Sequence, residues 1–428
     1  MKKIILLLLT IVVYNNTFSQ NLINNELKNL LNQSLVYFPK VKEVQQSVQL
    51  AEDKLALTEL NKYPDLTIDA SYAYVQPKIE VAFGENKPFQ FSPEHNVSGA
   101  LNGSYTLFDF GRLQSSIEKA KLELQTSKHV AEQLKHSLFF QISQLYYQII
   151  YAKKAIEIQN QVIQLLTENK SVVEVQLKNG NAIQLDLLTI QSKIDNEINR
   201  KIDVETNLQK LLNLLKYATG VGTIQEGQLA ITLKNYTLDE AMQMAILHNP
   251  SLAIAKDKVS VAKAEVAITK LNELPYVGLK ASVGSRNGYL PNIQDPRFNY
   301  NAGIGFSVPL FNGGKTKQQV KIHERSVALN ETNVVSQLHD FEKDIQAAII
   351  DINSNNSRIK NAASQIEQAA LAQKLSVSKL KNGTTTPIEI TSTNSDYQRA
   401  LLNQLQYQYQ LCNAQLELIK LMGVELVD

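Results

Sequence analysis

The sequence predicts a mainly α-helical chain with a membrane β component, in which one unit, a long coiled-coil helical hairpin plus two β-strands, is written twice in tandem. Three observations predict it. The string LKNG stands at 177–180 and again at 380–383. Two runs of 68 residues, Arg112 to Asn179 and Lys315 to Asn382, contain neither glycine nor proline. Short segments ahead of each run alternate apolar and small or polar residues with period two, the strand period.

The chain opens MKKIILLLLTIVVYNNTFSQ, two lysines followed by an apolar run from Ile4 to Val13 and small residues at Thr17 and Ser19. That run is too short to span a bilayer as a mature helix, so residues 1–19 read as a secretory signal peptide. No cysteine follows it, which argues against a lipid anchor there. Without Lys2 and Lys3 the basic side chains balance the 41 acidic ones, and a neutral exported chain has no electrostatic footprint for nucleic acid. Cys412 is the single cysteine, so there is no disulfide framework, and among leucines it reads as a small apolar filler.

The duplication can be tested within the chain. Leu107, Phe108 and Gly111 fall on Leu310, Phe311 and Gly314 at the LKNG offset of 203, and Gly220-Val221 falls on Gly423-Val424. Upstream, Pro39 and Pro64 fall on Pro250 and Pro275 at an offset of 211, so eight residues are absorbed between Pro64 and Leu107. Chance does not hold one register over such a distance. The period far exceeds that of solenoid repeats. The expected organisation is repeat 1 over 20–221, an inter-repeat linker over 222–236, and repeat 2 over 237–428.

Strands are expected at 65–75 and 97–107 in repeat 1 and at 276–284 and 299–310 in repeat 2. In the first, Leu66, Ile68, Ala70, Tyr72 and Tyr74 share a face; in the last, Tyr300, Ala302, Ile304, Phe306, Val308 and Leu310 do. Their length, small inner residues and terminal aromatics fit transmembrane strands. A half-buried soluble sheet shows the same alternation. Long loops, 76–96 and 285–298, join each pair. Four strands cannot close a barrel, and an open edge cannot face lipid, so membrane strands here require several copies of the chain.

Long helices are expected over 112–179 and 315–382, each about 100 Å if continuous. Leu138, Ile142, Leu145, Ile149, Ala152, Ile156, Gln159, Ile163, Leu166, Lys170, Val173 and Leu177 step by four and three, and Phe341 through Ala362 to Leu380 keeps the same phase. That is the period of left-handed coiled-coil packing. The polar members Gln159, Lys170, Gln373 and Ser376 are expected where helices border water. Return helices are expected over 184–219 and 388–422, which makes each LKNG a hairpin turn. Glycine relieves the left-handed conformation at a helix end, and Lys178 and Lys381 suit the negative pole of the helix dipole.

The run LDEAMQMAILHNPSLAIAKDKVSVAKAEVAITKLNELPYVGLKASV (238–283), the paired LFDFG and LFNGG turns, and KNGNAIQLDLLTIQS with KNGTTTPIEITSTNS resemble the TolC-like outer-membrane efflux proteins, the outer membrane factors. The resemblance covers essentially the whole mature chain. It implies a homotrimer with a twelve-stranded β-barrel in the outer membrane of a Gram-negative bacterium, continuous with an α-barrel crossing the periplasm. It implies a passive exit duct for a tripartite efflux or type I secretion system, served by a periplasmic adaptor (membrane fusion protein) and an inner-membrane pump. It places the adaptor-contacting turns at Lys178, Asn179, Gly180, Lys381, Asn382 and Gly383. It matches Asp186 and Glu389, each six residues past a turn glycine, to acidic positions that latch or line the pore constriction. Two departures stand out: the family's arginine and tyrosine latch positions hold Thr385 and Leu380, and Ser392 replaces a further acid. A carboxylate in the first turn of a helix is also favoured by the helix dipole alone.

Nothing in the sequence signals catalysis. The six histidines lie outside HExxH and CxxC contexts, and no P-loop, nucleophile elbow or paired-acid motif occurs, so no metal, cofactor or catalytic residue is assigned. The alternative function is a periplasmic adaptor or coiled-coil scaffold. It predicts one central hairpin between split β modules, whereas this chain has two hairpins and two strand pairs in series.

Overall fold

A computed structural model describes residues 22–81, 89–225, 227–382 and 384–427. The expected signal peptide and the turn glycine Gly383 lie outside the described residues. Repeat 1 contains α1 (Asn25–Tyr37), α2 (Pro39–Leu60), β1 (Asp65–Tyr74), β2 (Glu80–Val81), β3 (Phe89–Gln90), β4 (His95–Phe108), α3 (Arg112–Lys178) and α4 (Gln184–Thr219). Repeat 2 contains α5 (Leu238–His248), α6 (Pro250–Leu271), β5 (Tyr276–Arg286), β6 (Arg297–Ser307), α7 (Lys315–Lys381) and α8 (Pro387–Met422). None of the described helices is long and apolar enough to cross a membrane.

Matching residues build matching ends. Pro39 and Pro250 open α2 and α6, where a missing N–H costs nothing. The side chains of Asn24 and Thr237 cap α1 and α5 by accepting the N–H of Leu27 and Glu240. Gly220 and Gly423 close α4 and α8 with φ of +79° and +70°. Gly423 is needed twice over, because a Cβ there would lie 2.5 Å from the His248 carbonyl carbon.

The chain forms two compact units, and each repeat contributes to both. The first comprises the described residues of 1–43, 132–250 and 338–428. Its main core gathers α1, α5, the linker and the four long helices around the fully buried Tyr146 and Tyr147 of α3. The Tyr146 hydroxyl accepts from Asn24 Nδ2 (2.6 Å) and donates to Glu26 (2.9 Å), so this phenol is buried without an unmet hydrogen bond. Burial pushes its pKa up to about 12. The linker carries no helix or strand among its described residues, yet it is pinned. Lys153 Nζ donates to the Ile224 carbonyl, Tyr147 Oη to that of Ala230, and the Gln225 N–H to Glu26. A Cβ at Gly227 would come within 2.5 Å of Ile150 Cδ1 and 2.8 Å of Tyr146 Oη, so a larger residue there would make those side chains shift.

The second unit comprises the described residues of 44–131 and 251–337. Its four-stranded antiparallel sheet has the order β1-β4-β5-β6, so the strand pairs of the two repeats join at β4–β5. The register places Ile68 against Leu101, Leu101 against Val283, and Val283 against Tyr300. One face therefore carries the large apolar residues of all four strands, and the other carries Thr67, Asn102, Ser282 and Asn301. The apolar face is bare: Ile68 is 81% exposed, Tyr300 78% and Ile304 71%.

The strands differ from expectation at their ends. β6 stops at Ser307, short of 310, because Pro309 has no N–H for the ladder. β4 begins at His95, and the first loop holds a small β2–β3 ribbon that its composition did not announce. Beneath the sheet, Arg112 NH2 donates to the carbonyls of Leu271 and Leu274 at the end of α6, tying the repeats together. Asp109 and Asn312 take equivalent places in the LFDFG and LFNGG turns, accepting from the N–H groups of Gly111 and Gly314. On the helices that follow, Asp257 of α6 is held by His129 (2.5 Å) and Gln125 (2.9 Å) of α3.

Candidate functional site

The two hairpin turns have one construction. After α3, Gly180 adopts φ +76°, and the Asn181 N–H reaches back to the Gln176 carbonyl at 2.8 Å. After α7, the Thr384 N–H reaches the Lys379 carbonyl at 3.0 Å, the same bond displaced by 203 residues. A Cβ on Gly180 would meet nothing within 4 Å. Backbone conformation, not crowding, is what calls for glycine there.

Asp186 and Glu389 occupy the same position, the third residue of a return helix. The Asp186 carboxylate accepts the Ile183 N–H at 3.1 Å, while Ile183, having no polar side chain, cannot return the bond. Thr386 caps α8 through its hydroxyl, which accepts from the Glu389 N–H, and the Glu389 carboxylate accepts from the Thr385 hydroxyl. Lys178, Asn179, Gly180, Lys381, Asn382 and Glu389 are exposed, and Asp186 is half-buried. Asn179, Lys381 and Asn382 come together around a hollow of about 500 Å³ between the turns, whereas Asp186 and Glu389 do not line it.

The two turns are fastened to each other. Leu380, fully buried, packs with Val162, Leu166, Val173, Ile190, Ile194 and Ile390, drawing on all four long helices. Gln176 Nε2 of α3 donates to the Leu380 carbonyl of α7 at 2.6 Å. Thr385, the other latch position in the resemblance, spends its hydroxyl on Glu389 within its own hairpin.

Farther along the hairpins lies a buried polar knot that the sequence did not disclose. Glu197 of α4 has a side chain with no solvent exposure. It accepts from Gln159 Nε2 of α3 at 2.5 Å and Gln398 Nε2 of α8 at 2.8 Å, with Arg200 at 3.0 Å and Lys193 at 3.4 Å. Gln398 also donates to Gln159 Oε1 at 3.1 Å. Burial pushes the Glu197 pKa up, but the two amides and the two cations outweigh it and leave the carboxyl below its ordinary value. A groove of about 700 Å³ borders the knot, lined in part by Tyr151, Lys193, Arg200 and Arg399.

This corrects the expectation for the polar stripe positions. Gln159 and Ser376 are buried rather than exposed: each is 4% exposed and hydrogen-bonded, Ser376 to Thr393 at 2.7 Å, with Gln159 at the wall of the groove. Lys170 and Gln373 are half-buried. The only hint in the sequence was a glutamine recurring in phase with leucines, and its partner Glu197 sits on another helix without a motif.

The described residues thus combine a sheet with one bare apolar face and a long helical hairpin written twice, the architecture of one class of repeat-built protein. A sequence profile of the family described as outer membrane efflux protein matches residues 30–221 and again 241–424. The chain belongs to that family. It is 25% identical over 275 residues to an uncharacterized protein of Haemophilus influenzae, spanning 58% of that relative and 63% of this chain. It is 20% identical over 346 residues to the cation efflux system protein CusC of Escherichia coli K12, covering 79% of this chain and 73% of CusC. Among solved structures, the outer membrane protein VceC of Vibrio cholerae shares the fold with a TM-score of 0.79 at 18% identity, over 93% of this chain and 96% of that one.

Proposed function

We infer that the chain is the outer-membrane exit duct of a tripartite efflux or type I secretion system, passing small molecules or protein outward without catalysis. The observation that carries this reading is the sheet. Its large apolar residues lie on one face and its small and polar residues on the other, while β1 and β6 each leave an edge unpaired. Lipid tolerates the apolar face but not the edges, so the sheet needs neighbours. Three copies of four strands give a twelve-stranded barrel, the homotrimer of the family resemblance. Family membership supports the same reading.

In this assembly the turns at Lys178, Asn179, Gly180, Lys381, Asn382 and Gly383 meet a periplasmic adaptor that couples the duct to an inner-membrane pump. Asp186 and Glu389 line the pore constriction behind those turns. Docking splays one hairpin outward and widens the entrance. The closed state depends on Leu380 packing and the Gln176 bond, because Leu380 and Thr385 cannot form the family's tyrosine–arginine latch.

Native mass measurement on the detergent-extracted protein tests the reading. A particle of three chains from the outer-membrane fraction supports it. A monomer recovered from the periplasm without detergent contradicts it and favours the adaptor or scaffold alternative.

A further inference from the structure

The polar face of the sheet is not electrically uniform. In the row of Asp65, Lys280 stands two strands away beyond Ser104, so an acid and a base share one level. Asp69, the next acid on β1, is held by Asn102 Nδ2 at 2.6 Å. At the loop end the pattern changes. One row runs Ser71, Ser98, Arg286, Arg297, with the two arginines directly opposite each other on β5 and β6. The row beyond it on β1 and β4 holds only Ala73 and Asn96.

Like charges directly opposite on a sheet repel and cost stability. Among the described residues no carboxylate forms an ion pair with either arginine. Their neutral partners use little of their donor capacity. Arg286 Nε donates to Tyr289 Oη at 2.9 Å and its guanidinium lies over that ring at 5.0 Å, while Arg297 NH1 donates to the Leu290 carbonyl at 2.8 Å. These contacts hold the two forks in place and, among the described residues, leave most of the five N–H donors of each without a partner. Rings of arginine are one way that pores select anions.

We propose that Arg286 and Arg297 form an anion-binding collar at the loop end of the polar face, taking carboxylate, sulfonate or phosphate groups and favouring anionic cargo at the exit. The proposal rests on the duct reading, in which this face lines the lumen and three copies bring six arginines to one level.

Thiol accessibility in isolated outer membranes tests it. Ser98→Cys places a thiol in the arginine row, and the native Cys412 is 1% exposed, which keeps the background low. Its thiolate attacks a methanethiosulfonate to form a mixed disulfide and expel methanesulfinate. The rate is compared for anionic sulfonatoethyl and cationic trimethylammonium-ethyl methanethiosulfonate. The collar predicts that the anion-to-cation rate ratio falls several-fold on Arg286→Gln/Arg297→Gln and is retained in Arg286→Lys/Arg297→Lys, which keeps the charge. A reactive thiol with the same ratio in the glutamine variant overturns the collar while leaving the duct intact. A thiol that neither reagent reaches shows that the face is not water-lined, which overturns the duct reading and the collar with it.

Discussion

Gln398 of the second hairpin lies with its amide nitrogen 2.8 Å from the Glu197 carboxylate of the first, a side chain with no solvent exposure. This bond and its companion from Gln159 join three helices through one buried charge. Removing a donor leaves that charge short of a partner, which costs more than the bond is worth in water.

Gln398→Ala is therefore expected to destabilise the hairpin packing by about 1–3 kcal/mol, the usual penalty for an under-satisfied buried group. The check is a thermal melt followed by far-UV circular dichroism, in which the variant unfolds at lower temperature than the parent.

The same site sets a pH dependence. Because the folded Glu197 carboxyl titrates below its ordinary value of 4.5, its contribution is present above that pH and is lost as pH falls through the lower folded value. Melts across mildly acidic buffers should show stability declining below about pH 4.5 in the parent. In Glu197→Gln this part of the decline is absent.

Leu380 is expected to be a packing anchor for both turns. Leu380→Ala should cost about 2–5 kcal/mol locally, the range for emptying a buried leucine site. Limited proteolysis reads it out as faster cleavage near residues 179–183 and 382–386, with the main core around Tyr146 still protected.

The architecture was legible in the chain because long breaker-free runs leave a helix nowhere to stop and period-two segments leave a strand one apolar face. Gly180 was legible for the same kind of reason, since its φ of +76° is a demand that glycine meets without strain. The β2–β3 ribbon was not, because two-residue strands carry no periodicity. The Glu197 knot was not, because a buried carboxylate is made tolerable by partners 38 and 201 residues away. The burial of Ser376 was hidden likewise: its partner Thr393 lies across the hairpin.

The proposed docking role of the turns can be tested by reversing charge at Lys178 and Lys381. Lys178→Glu/Lys381→Glu reverses two exposed charges that make no core contact, so the particle mass should be unchanged while the amount of co-purified adaptor falls. Equal recovery of adaptor would remove these lysines from the docking surface.

The central claim is that three chains enclose one water-filled path with Asp186 and Glu389 at its constriction. Single-channel recording from the purified oligomer in a planar bilayer tests it most directly. The account predicts discrete conductance steps whose size or cation selectivity changes in Asp186→Ala/Glu389→Ala. Steps unaltered by that pair of substitutions would take these acids out of the constriction, and a folded, membrane-inserted oligomer that conducts nothing would contradict the duct itself.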